Sequence, residues 1–264
     1  YDTLDQVSDY EIIINTTPVG MYPNNGQKLI NLDLFPNCCG VMDAIYNPLY
    51  TELMLEARER EIPHTNGLSM LVAQAVKAHE LFFNTTLSEE TIEDTIFKIE
   101  KDVVNIILIG MPGSGKTTIA TMLAERTGRK MVDTDKMVEE TAEMSIPDIF
   151  FEKGEAEFRK LEAEAIRACG KEQGLVISTG GGCVKSYENY KALKQNGEVY
   201  YLKRELDSLS IAGRPLSKDR KALSGLYLER KPLYEKYADQ TVDSNQSIRD
   251  TLEELYKKFS LKGE

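Results

Sequence analysis

The sequence predicts an α/β protein in which two parallel sheets with flanking helices follow one another along the chain. Apolar segments of strand length alternate with amphipathic segments of helix length, the pattern typical of parallel α/β folds. A glycine-rich loop at residues 110–118 joins one such strand to a helix. An amphipathic segment at 88–101 separates two strand–helix series, so we predict domains at 1–102 and 103–264.

Composition excludes several classes of function. The chain has 264 residues, 41% of them hydrophobic, and a formal net charge of −11. This acidic balance does not favour binding to a nucleic-acid backbone or to an anionic membrane. No apolar run approaches the roughly 20 residues that cross a bilayer. The acidic start, YDTLDQVSDYE, is unlike a signal peptide, so a cytoplasmic location is expected.

Cysteine and histidine give no sign of metal or triad chemistry. The four cysteines, which have no C-x-x-C spacing, are Cys38, Cys39, Cys169 and Cys183. Free thiols in a reducing compartment are the expected state. The two histidines, His64 and His79, have no ligand-like neighbours, which disfavours zinc sites and histidine-based triads.

The first predicted domain contains short strands and longer helices. Strands are predicted at 11–15, 41–46 and 62–64, and helices at 51–61 and 69–83. The helix predicted at 88–101 places Ile92, Ile96 and Ile99 on one face, with Ser88 as its N-cap. It is therefore expected to connect the two domains as a helix and not as a flexible linker.

The second domain opens with a phosphate-binding motif. Residues 110–117, GMPGSGKT, match G-x-x-x-x-G-K-[ST] between the predicted strand IILIG and the predicted helix TTIATMLAERTG. Backbone N–H groups of such a loop surround phosphates at the positive end of the helix. Lys116 is expected to reach the β/γ-phosphates and the Thr117 hydroxyl to bind Mg²⁺. The predicted ATP-binding residues here are Gly113, Ser114, Gly115, Lys116, Thr117 and Thr118.

The rest of the chain limits which nucleotide-binding class this is. A GTPase would need the guanine-binding motif N-K-x-D, which the sequence lacks. A motor or AAA-type ATPase would show an apolar strand ending in Asp-Glu, whereas the strand EVYYLKRE (198–205) ends in basic residues. A kinase acting on a small molecule is favoured.

Two carboxylates follow the predicted strand at the start of MVDTDKM (131–137). Asp133 is placed to hold magnesium through water, and Asp135 to accept a substrate hydroxyl proton. The alternative is that an aspartate here only caps the next helix. Arg159, in the predicted helix 154–167, has Glu155 and Glu162 within reach, and the spacing alone favours a surface ion pair.

Glycines and two further arginines complete the candidate set. Gly180, Gly181 and Gly182 follow a buried strand and expose only backbone, which allows a ligand to approach closely. Arg214 lies in ELDSLSIAGRPLSKD, a stretch suited to a mobile lid. Arg230 lies on a predicted helix, and arginine suits forked recognition of carboxylate or phosphate.

Residues 103–264 resemble shikimate kinase through GMPGSGKTT, DTD, EFRKLE, GGG, GRPL and ERKPLY, in the order of that family. The resemblance implies a nucleoside-monophosphate-kinase-like P-loop fold. It also implies transfer of the γ-phosphoryl of ATP, with Mg²⁺, to the 3-hydroxyl of shikimate. The lid stretch departs from the family in being short and in lacking extra arginines before GRPL, and DSNQS (243–247) lacks an arginine near the expected adenine.

The resemblance also implies roles for individual residues. Asp135 would bind the shikimate hydroxyls and act as the base, and Gly181, with the glycines on either side of it, would contact the ring. Arg159 and Arg230 would hold the carboxylate, with Glu162 orienting Arg159. Lys116 and Arg214 would act on the phosphates, Arg214 from the lid.

Residues 10–84 resemble the C-terminal part of shikimate dehydrogenase through DYEIIINTTPVGMYP, DAIYNPLYTELMLEA and NGLSMLVAQA. By that resemblance Tyr46 and Gln74 would touch shikimate, and Ala44 and Gly67 would lie by the nicotinamide of NADP. The family's catalytic Lys–Asp pair belongs to a substrate domain that precedes this part, and no G-x-G-x-x-G occurs before residue 100. We expect the tail of a longer bifunctional polypeptide, without dehydrogenase activity of its own.

Two consequences and two alternatives follow. Without a partner for the isoleucine face of 88–101, residues 1–102 are expected to be less stable than the second domain or to self-associate. A gluconate-type or nucleotide kinase of the same fold is the alternative enzyme. A nucleotide-binding interaction module without catalysis is the alternative from another class, and the presence of Lys116, Thr117, Asp135 and the arginines argues against it.

Overall fold

The computed structural model describes residues 9–209 and 220–261. The chain divides into two compact units, Tyr1–Val103 and Val104–Glu264. Both units are α/β, and every strand pairing in them is parallel, which confirms the predicted fold class. Among the described helices, none combines the length and apolar character needed to cross a membrane. Arg214, the predicted lid arginine, lies outside the described residues.

The first unit has a three-stranded sheet in the order β1-β2-β3. Its strands are β1 (Ile12–Asn15), β2 (Gly40–Asp43) and β3 (His64–Thr65). Its helices are α1 (Glu52–Glu59), α2 (Leu68–Phe83) and α3 (Glu89–Val103). A small core of Leu32, Val41, Leu53 and Ala57 lies between the sheet and α1.

Two strands of this unit differ from the sequence prediction. The second was expected to run to residue 46 but ends at Asp43, whose buried carboxylate accepts hydrogen bonds from Ile45 N (3.0 Å) and Thr51 Oγ1 (2.6 Å). These bonds turn the chain out of the sheet. The third was expected at 62–64 and is instead the two residues His64–Thr65. The predicted Ser88 cap is present, because Thr91 N donates to Ser88 Oγ at 3.2 Å.

The second unit has a five-stranded parallel sheet in the order β5-β6-β4-β7-β8. Its strands are β4 (Asn105–Ile109), β5 (Lys130–Asp133), β6 (Leu175–Ser178), β7 (Gly197–Lys203) and β8 (Gln240–Asp243). Its helices are α4 (Lys116–Thr127), α5 (Thr134–Ala142), α6 (Ile146–Glu152), α7 (Gly154–Lys171), α8 (Tyr187–Lys194), α9 (Arg220–Tyr237) and α10 (Ile248–Ser260).

The central strand β4 is buried on both faces, as its run of apolar residues predicts. Ile106 and Leu108 join the core that contains residues of α4 and α10. Ile107 and Ile109 point the other way and join the core formed with α7, α8 and α9. This two-sided core fixes the carboxyl ends of all five strands along one edge, and the candidate site lies at that edge.

Candidate active site

An open cavity of about 380 Å³ lies at the carboxyl edge of the second sheet. Ligands of open parallel sheets bind outside this edge. The predicted site residues that line it are Lys116, Thr117, Asp133, Asp135, Arg159, Gly180, Gly181, Gly182 and Arg230. Gly113, Ser114, Gly115 and Thr118 are not among its lining residues. Residues distant in sequence therefore meet around one space.

The glycine-rich motif, residues 110–117, forms the loop that follows β4 and the first two residues of α4. Gly113 (φ 84°) and Gly115 (φ 93°) have left-handed backbone conformations, which glycine adopts without strain. Gly115 is the N-cap of α4, so the positive end of this helix faces the loop. The buried Lys116 Nζ donates to the carbonyls of Gly110 (2.9 Å) and Met111 (3.0 Å). Backbone amides, a helix end and an ammonium group together form a site for a polyphosphate.

Oxygen atoms from three elements meet below this loop. Thr117 Oγ1 donates to Asp133 Oδ2 at 2.9 Å and lies 3.3 Å from Ser178 Oγ. Asp133 also caps α5, because its Oδ1 accepts from Asp135 N at 3.0 Å and Lys136 N at 3.4 Å. Asp133 thus both caps α5 and contacts Thr117. Asp135, on the first turn of α5, lines the cavity.

Arg159 is held between two carboxylates. Its Nη1 donates to Glu162 Oε2 at 2.8 Å, and its Nη2 donates to Glu155 Oε1 at 3.0 Å. Burial lowers the pKa of Arg159, but Glu162 and Glu155 outweigh it and the net shift is upward. The expected ion pairs are present, and the guanidinium nevertheless borders the cavity with 24% of its side chain exposed.

Glu162 lies between Arg159 and Arg230. Its side chain is almost fully buried, and burial raises the pKa of its carboxyl while both arginines lower it. Arg230 is 2% exposed. Within the described part of the chain, Glu162 Oε1 and Arg230 Nε are buried without a hydrogen-bond partner. Glu162 and Glu155 both pair with Arg159. Arg230 acts on Glu162 through its charge without a hydrogen bond, and its guanidinium supplies positive charge at this end of the cavity.

The three glycines at 180–182 are required by close packing against site residues. A Cβ on Gly180 would lie 2.5 Å from Asp135 Oδ1, and one on Gly182 would lie 2.4 Å from Arg159 Nη1. On Gly181 it would lie 2.7 Å from Pro112 Cδ, in the glycine-rich loop. Any larger residue in this segment would displace a group that lines the cavity.

Comparison with known proteins identifies the family. The family model described as shikimate kinase matches residues 112–260, more than half of the chain. The chain belongs to the shikimate kinase family. This assignment confirms the resemblance inferred from GMPGSGKTT and the motifs that follow it.

Two relatives are matched over almost their whole length by part of this chain. Shikimate kinase of Symbiobacterium thermophilum is 37% identical over an alignment of 172 residues, and the match covers 61% of this chain and 99% of that protein. The structure of shikimate kinase from Acinetobacter baumannii in complex with shikimate is 33% identical, with a TM-score of 0.57. That match covers 62% of this chain and 99% of the other, so the P-loop fold is shared.

The N-terminal part matches solved shikimate dehydrogenases. A chorismate mutase/shikimate 5-dehydrogenase fusion protein from Clostridium acetobutylicum is 36% identical, and the match covers 36% of each chain with a TM-score of 0.34. A TM-score of this size does not establish a shared fold. The first unit is therefore characterised by its own residues.

Sequence reasoning missed two residues of the kinase site. Tyr234, on α9, donates from its hydroxyl to the carbonyl of Gly181 at 2.5 Å and stacks on Tyr201. Ser178 is the last residue of β6 and could have been found from its position at a strand end. Tyr234 ends the motif ERKPLY but received no role there, because its partner is a backbone carbonyl distant in sequence.

The first unit brings together only part of its predicted set. Ala44 and Gly67 are in contact, since a Cβ on Gly67 would overlap the carbonyl of Ala44 at 2.0 Å. Ala44 and Tyr46 line an open cavity of about 400 Å³, and Tyr46 is exposed. Gln74 is exposed on α2 and is not among the residues that line this cavity, nor is Gly67.

Proposed function

We propose that the second unit transfers the γ-phosphoryl group of ATP, with Mg²⁺, to the 3-hydroxyl of shikimate. One observation carries this proposal: Arg159, Arg230 and Asp135 line the same cavity as Lys116 and Thr117 of the glycine-rich loop. A carboxylate, a hydroxyl and a polyphosphate therefore find suitable groups around a single space. Acceptor and donor can be held for direct transfer without a covalent enzyme intermediate.

The carboxylate of shikimate would bind at the Arg159–Arg230 end of the cavity. Glu162 and Glu155 both pair with Arg159, so the positive charge open to a ligand comes chiefly from Arg230, which lines the cavity. The remaining positive charge suits one carboxylate, which arginine can bind in a forked geometry. Glu162 also holds Arg159 in place through its 2.8 Å hydrogen bond, so little side-chain entropy is lost on binding.

Asp135 would orient the hydroxyl that is phosphorylated and accept its proton. It lies on the first turn of α5, directly against Gly180, so its carboxylate is positioned by a rigid helix and a close backbone. Lys116 would bind the β- and γ-phosphates, and Gly113, Ser114, Gly115 and Thr118 would complete the phosphate contacts. Arg214, which lies outside the described residues, would contact the phosphates from the lid.

The oxygen cluster of Thr117, Asp133 and Ser178 fits a magnesium ion. Hydroxyl and carboxylate oxygens are the ligands that Mg²⁺ prefers, with water and phosphate completing its shell. Among the described residues there is no group of three His, Cys, Asp or Glu side chains suited to a metal, so an all-protein cage is not part of the described site. Thr117 would ligate the ion directly and Asp133 through water. Magnesium would neutralise phosphate charge during transfer.

A coupled assay of shikimate-dependent ADP release tests this function. Gluconate and nucleoside monophosphates serve as alternative acceptors, which separates shikimate kinase from gluconate-type and nucleotide kinases. We expect turnover with shikimate and Mg²⁺ only, and loss of turnover in Lys116→Ala with the fold preserved by circular dichroism. Preferential turnover of gluconate, or full activity of Lys116→Ala, would contradict the proposal.

We propose that the first unit has no dehydrogenase activity by itself. Its sheet has three described strands, and no G-x-G-x-x-G loop lies before residue 100 to bind the cofactor pyrophosphate. Of its predicted shikimate contacts, Tyr46 lines the described cavity of this unit and Gln74 is not among its lining residues. Incubation of the chain with shikimate and NADP⁺ should produce no NADPH, which is followed by its near-ultraviolet absorbance. A steady increase in this absorbance would contradict the proposal.

A further inference from the structure

Arg204 lies at the carboxyl edge of the second sheet, on the side away from the acceptor cavity. It directly follows β7, which pairs with β4 on the flank opposite β6 and β5. Asp133, the last residue of β5, and Gly180, just after the end of β6, line the acceptor cavity. The acceptor and Arg204 therefore lie on opposite flanks of the glycine-rich loop that follows β4.

The guanidinium of Arg204 faces the last glycine of that loop. Nη1 of Arg204 is 4.0 Å from the position that a Cβ on Gly115 would occupy. Among described atoms outside Gly115 and its two chain neighbours, no other lies within 4 Å of that position. The space above Gly115 is thus open on the side of Arg204, at the N-terminus of α4.

The backbone on both sides of Arg204 is fixed. The carbonyl of Lys203 accepts from Ser244 N (2.9 Å) and Ser244 Oγ (3.1 Å), and Glu205 N donates to Asn245 Oδ1 at 2.9 Å. Asn245 is itself held by Asp243 Oδ1. These bonds hold Arg204 beside the loop instead of leaving it on a free surface turn.

An ion pair with a nearby acid does not account for this arginine. Asp207, three residues further on, pairs with Arg220 at 2.7 Å. Within the residues described, Arg204 Nε is buried and has no hydrogen-bond partner. A buried guanidinium nitrogen that lacks an internal acceptor is normally satisfied by water or a ligand.

We propose that Arg204 is a nucleotide-contacting residue whose guanidinium binds the diphosphate part of ATP and ADP. This inference rests on the proposed kinase function and deepens it. It adds a fixed arginine to the phosphate site of a chain whose lid stretch is poor in arginine. The guanidinium approaches from the flank opposite the acceptor. It therefore acts on the nucleotide and not on shikimate, and it compensates negative charge that builds up on the leaving diphosphate.

Isothermal titration with ADP and Mg²⁺, in the absence of shikimate, tests the proposal. We expect the Kd of ADP to rise about tenfold or more in Arg204→Gln, as the loss of a charge-assisted hydrogen bond implies. Arg204→Lys, which keeps the charge but loses the fork, should fall between Arg204→Gln and the unchanged chain. The matched control Arg167→Gln removes the same charge from an exposed position of α7 and should leave the Kd unchanged.

Two further readouts separate contact from damage to the fold. The melting temperature without ligand should be unchanged in Arg204→Gln, while the increase produced by ADP should shrink and the increase produced by shikimate should persist. An unchanged Kd for ADP in Arg204→Gln would overturn the inference alone. Failure of the unchanged chain to bind ADP would overturn the kinase function as well. Turnover of another acceptor, with ADP affinity still lost in Arg204→Gln, would overturn only the choice of shikimate.

Discussion

Arg159 lies directly against the backbone of Gly182. A Cβ on this glycine would come within 2.4 Å of Nη1, although φ at Gly182 is −100° and therefore allows any residue. Glycine is therefore needed at position 182 to leave room for the guanidinium of Arg159, and not because of its own backbone conformation. Together with Glu162, which accepts a hydrogen bond from the same Nη1, it fixes the position of this guanidinium in the cavity.

Gly182→Ala should therefore weaken acceptor binding without unfolding the chain. The new methyl group would push aside the end of a flexible side chain, so we expect a loss of stability below about 1 kcal/mol. The KM for shikimate should rise about tenfold because the forked contact is lost, while the KM for ATP stays constant. Gly225→Ala, in α9 with open space around it, is the control and should change neither constant. Parallel rises in both KM values would show that the change acts on the whole domain.

Arg159→Lys tests the forked recognition itself. Lysine keeps the charge but cannot bind Glu162 and a carboxylate in the same planar geometry. We expect the Kd of shikimate to rise about tenfold and that of ATP to stay constant. The exposed Arg167→Lys on the same helix should behave like the unchanged chain. An equal loss of affinity for both ligands would mean that Arg159 has a structural role only.

The buried Glu162 should make stability depend on pH. Burial raises its pKa above the ordinary 4.5, so the folded chain holds this proton more tightly than the unfolded chain. Its contribution to stability is therefore largest below pH 4.5 and is lost as the pH rises through the raised pKa. The measurement is the free energy of unfolding of the unchanged chain minus that of Glu162→Gln, between pH 4 and 7 (a proposed range).

That difference should decrease as the pH rises. Glu164→Gln, an exposed position on the same helix, provides the control and should give a difference that is nearly flat with pH. A difference that increases with pH would show that Arg159 and Arg230 lower the pKa of Glu162 by more than burial raises it.

The two units should differ in resistance to protease. In the first, α3 has no buried residue, and Phe82, near the end of α2, is 84% exposed. The edge strand β1 leaves Ile14 57% exposed. Limited trypsin digestion should remove the first unit first, and ATP with Mg²⁺ should protect only the second. Earlier digestion of the second unit would contradict this.

Self-association through these same apolar surfaces is a related expectation. Exposed apolar patches and unpaired strand edges favour association. Sedimentation velocity at increasing concentration should show dimers that disappear in Phe82→Ser, and monomers at all concentrations would count against it.

The sequence predicted the loop and its neighbours well because local rules determine them. The apolar run of β4, the motif at 110–117 and the helix after it need no distant partner, and the structure has them as strand, loop and α4. Predictions were weaker where a side chain turns the backbone. At Asp43 the carboxylate binds Ile45 N and ends the strand three residues early, which periodicity does not reveal.

Arg159 shows a second limit of sequence reasoning. Its spacing from Glu155 and Glu162 identified the carboxylates within reach, and both hydrogen bonds are present. Spacing does not show which face of α7 packs against the rest of the domain. On spacing alone, a surface ion pair is therefore the favoured interpretation. Only the family resemblance suggested a ligand at this position. The sequence showed Arg204 only as one of the basic residues that end the segment 198–205, and its position beside Gly115 depends on the packing of β7 against β4.

A crystal structure of the chain with shikimate and ADP tests the central claim most directly. We expect the shikimate carboxylate within hydrogen-bond distance of both Arg159 and Arg230, and a ring hydroxyl hydrogen-bonded to Asp135. Density for the ring outside this cavity, or a carboxylate that binds only one of the two arginines, would contradict it.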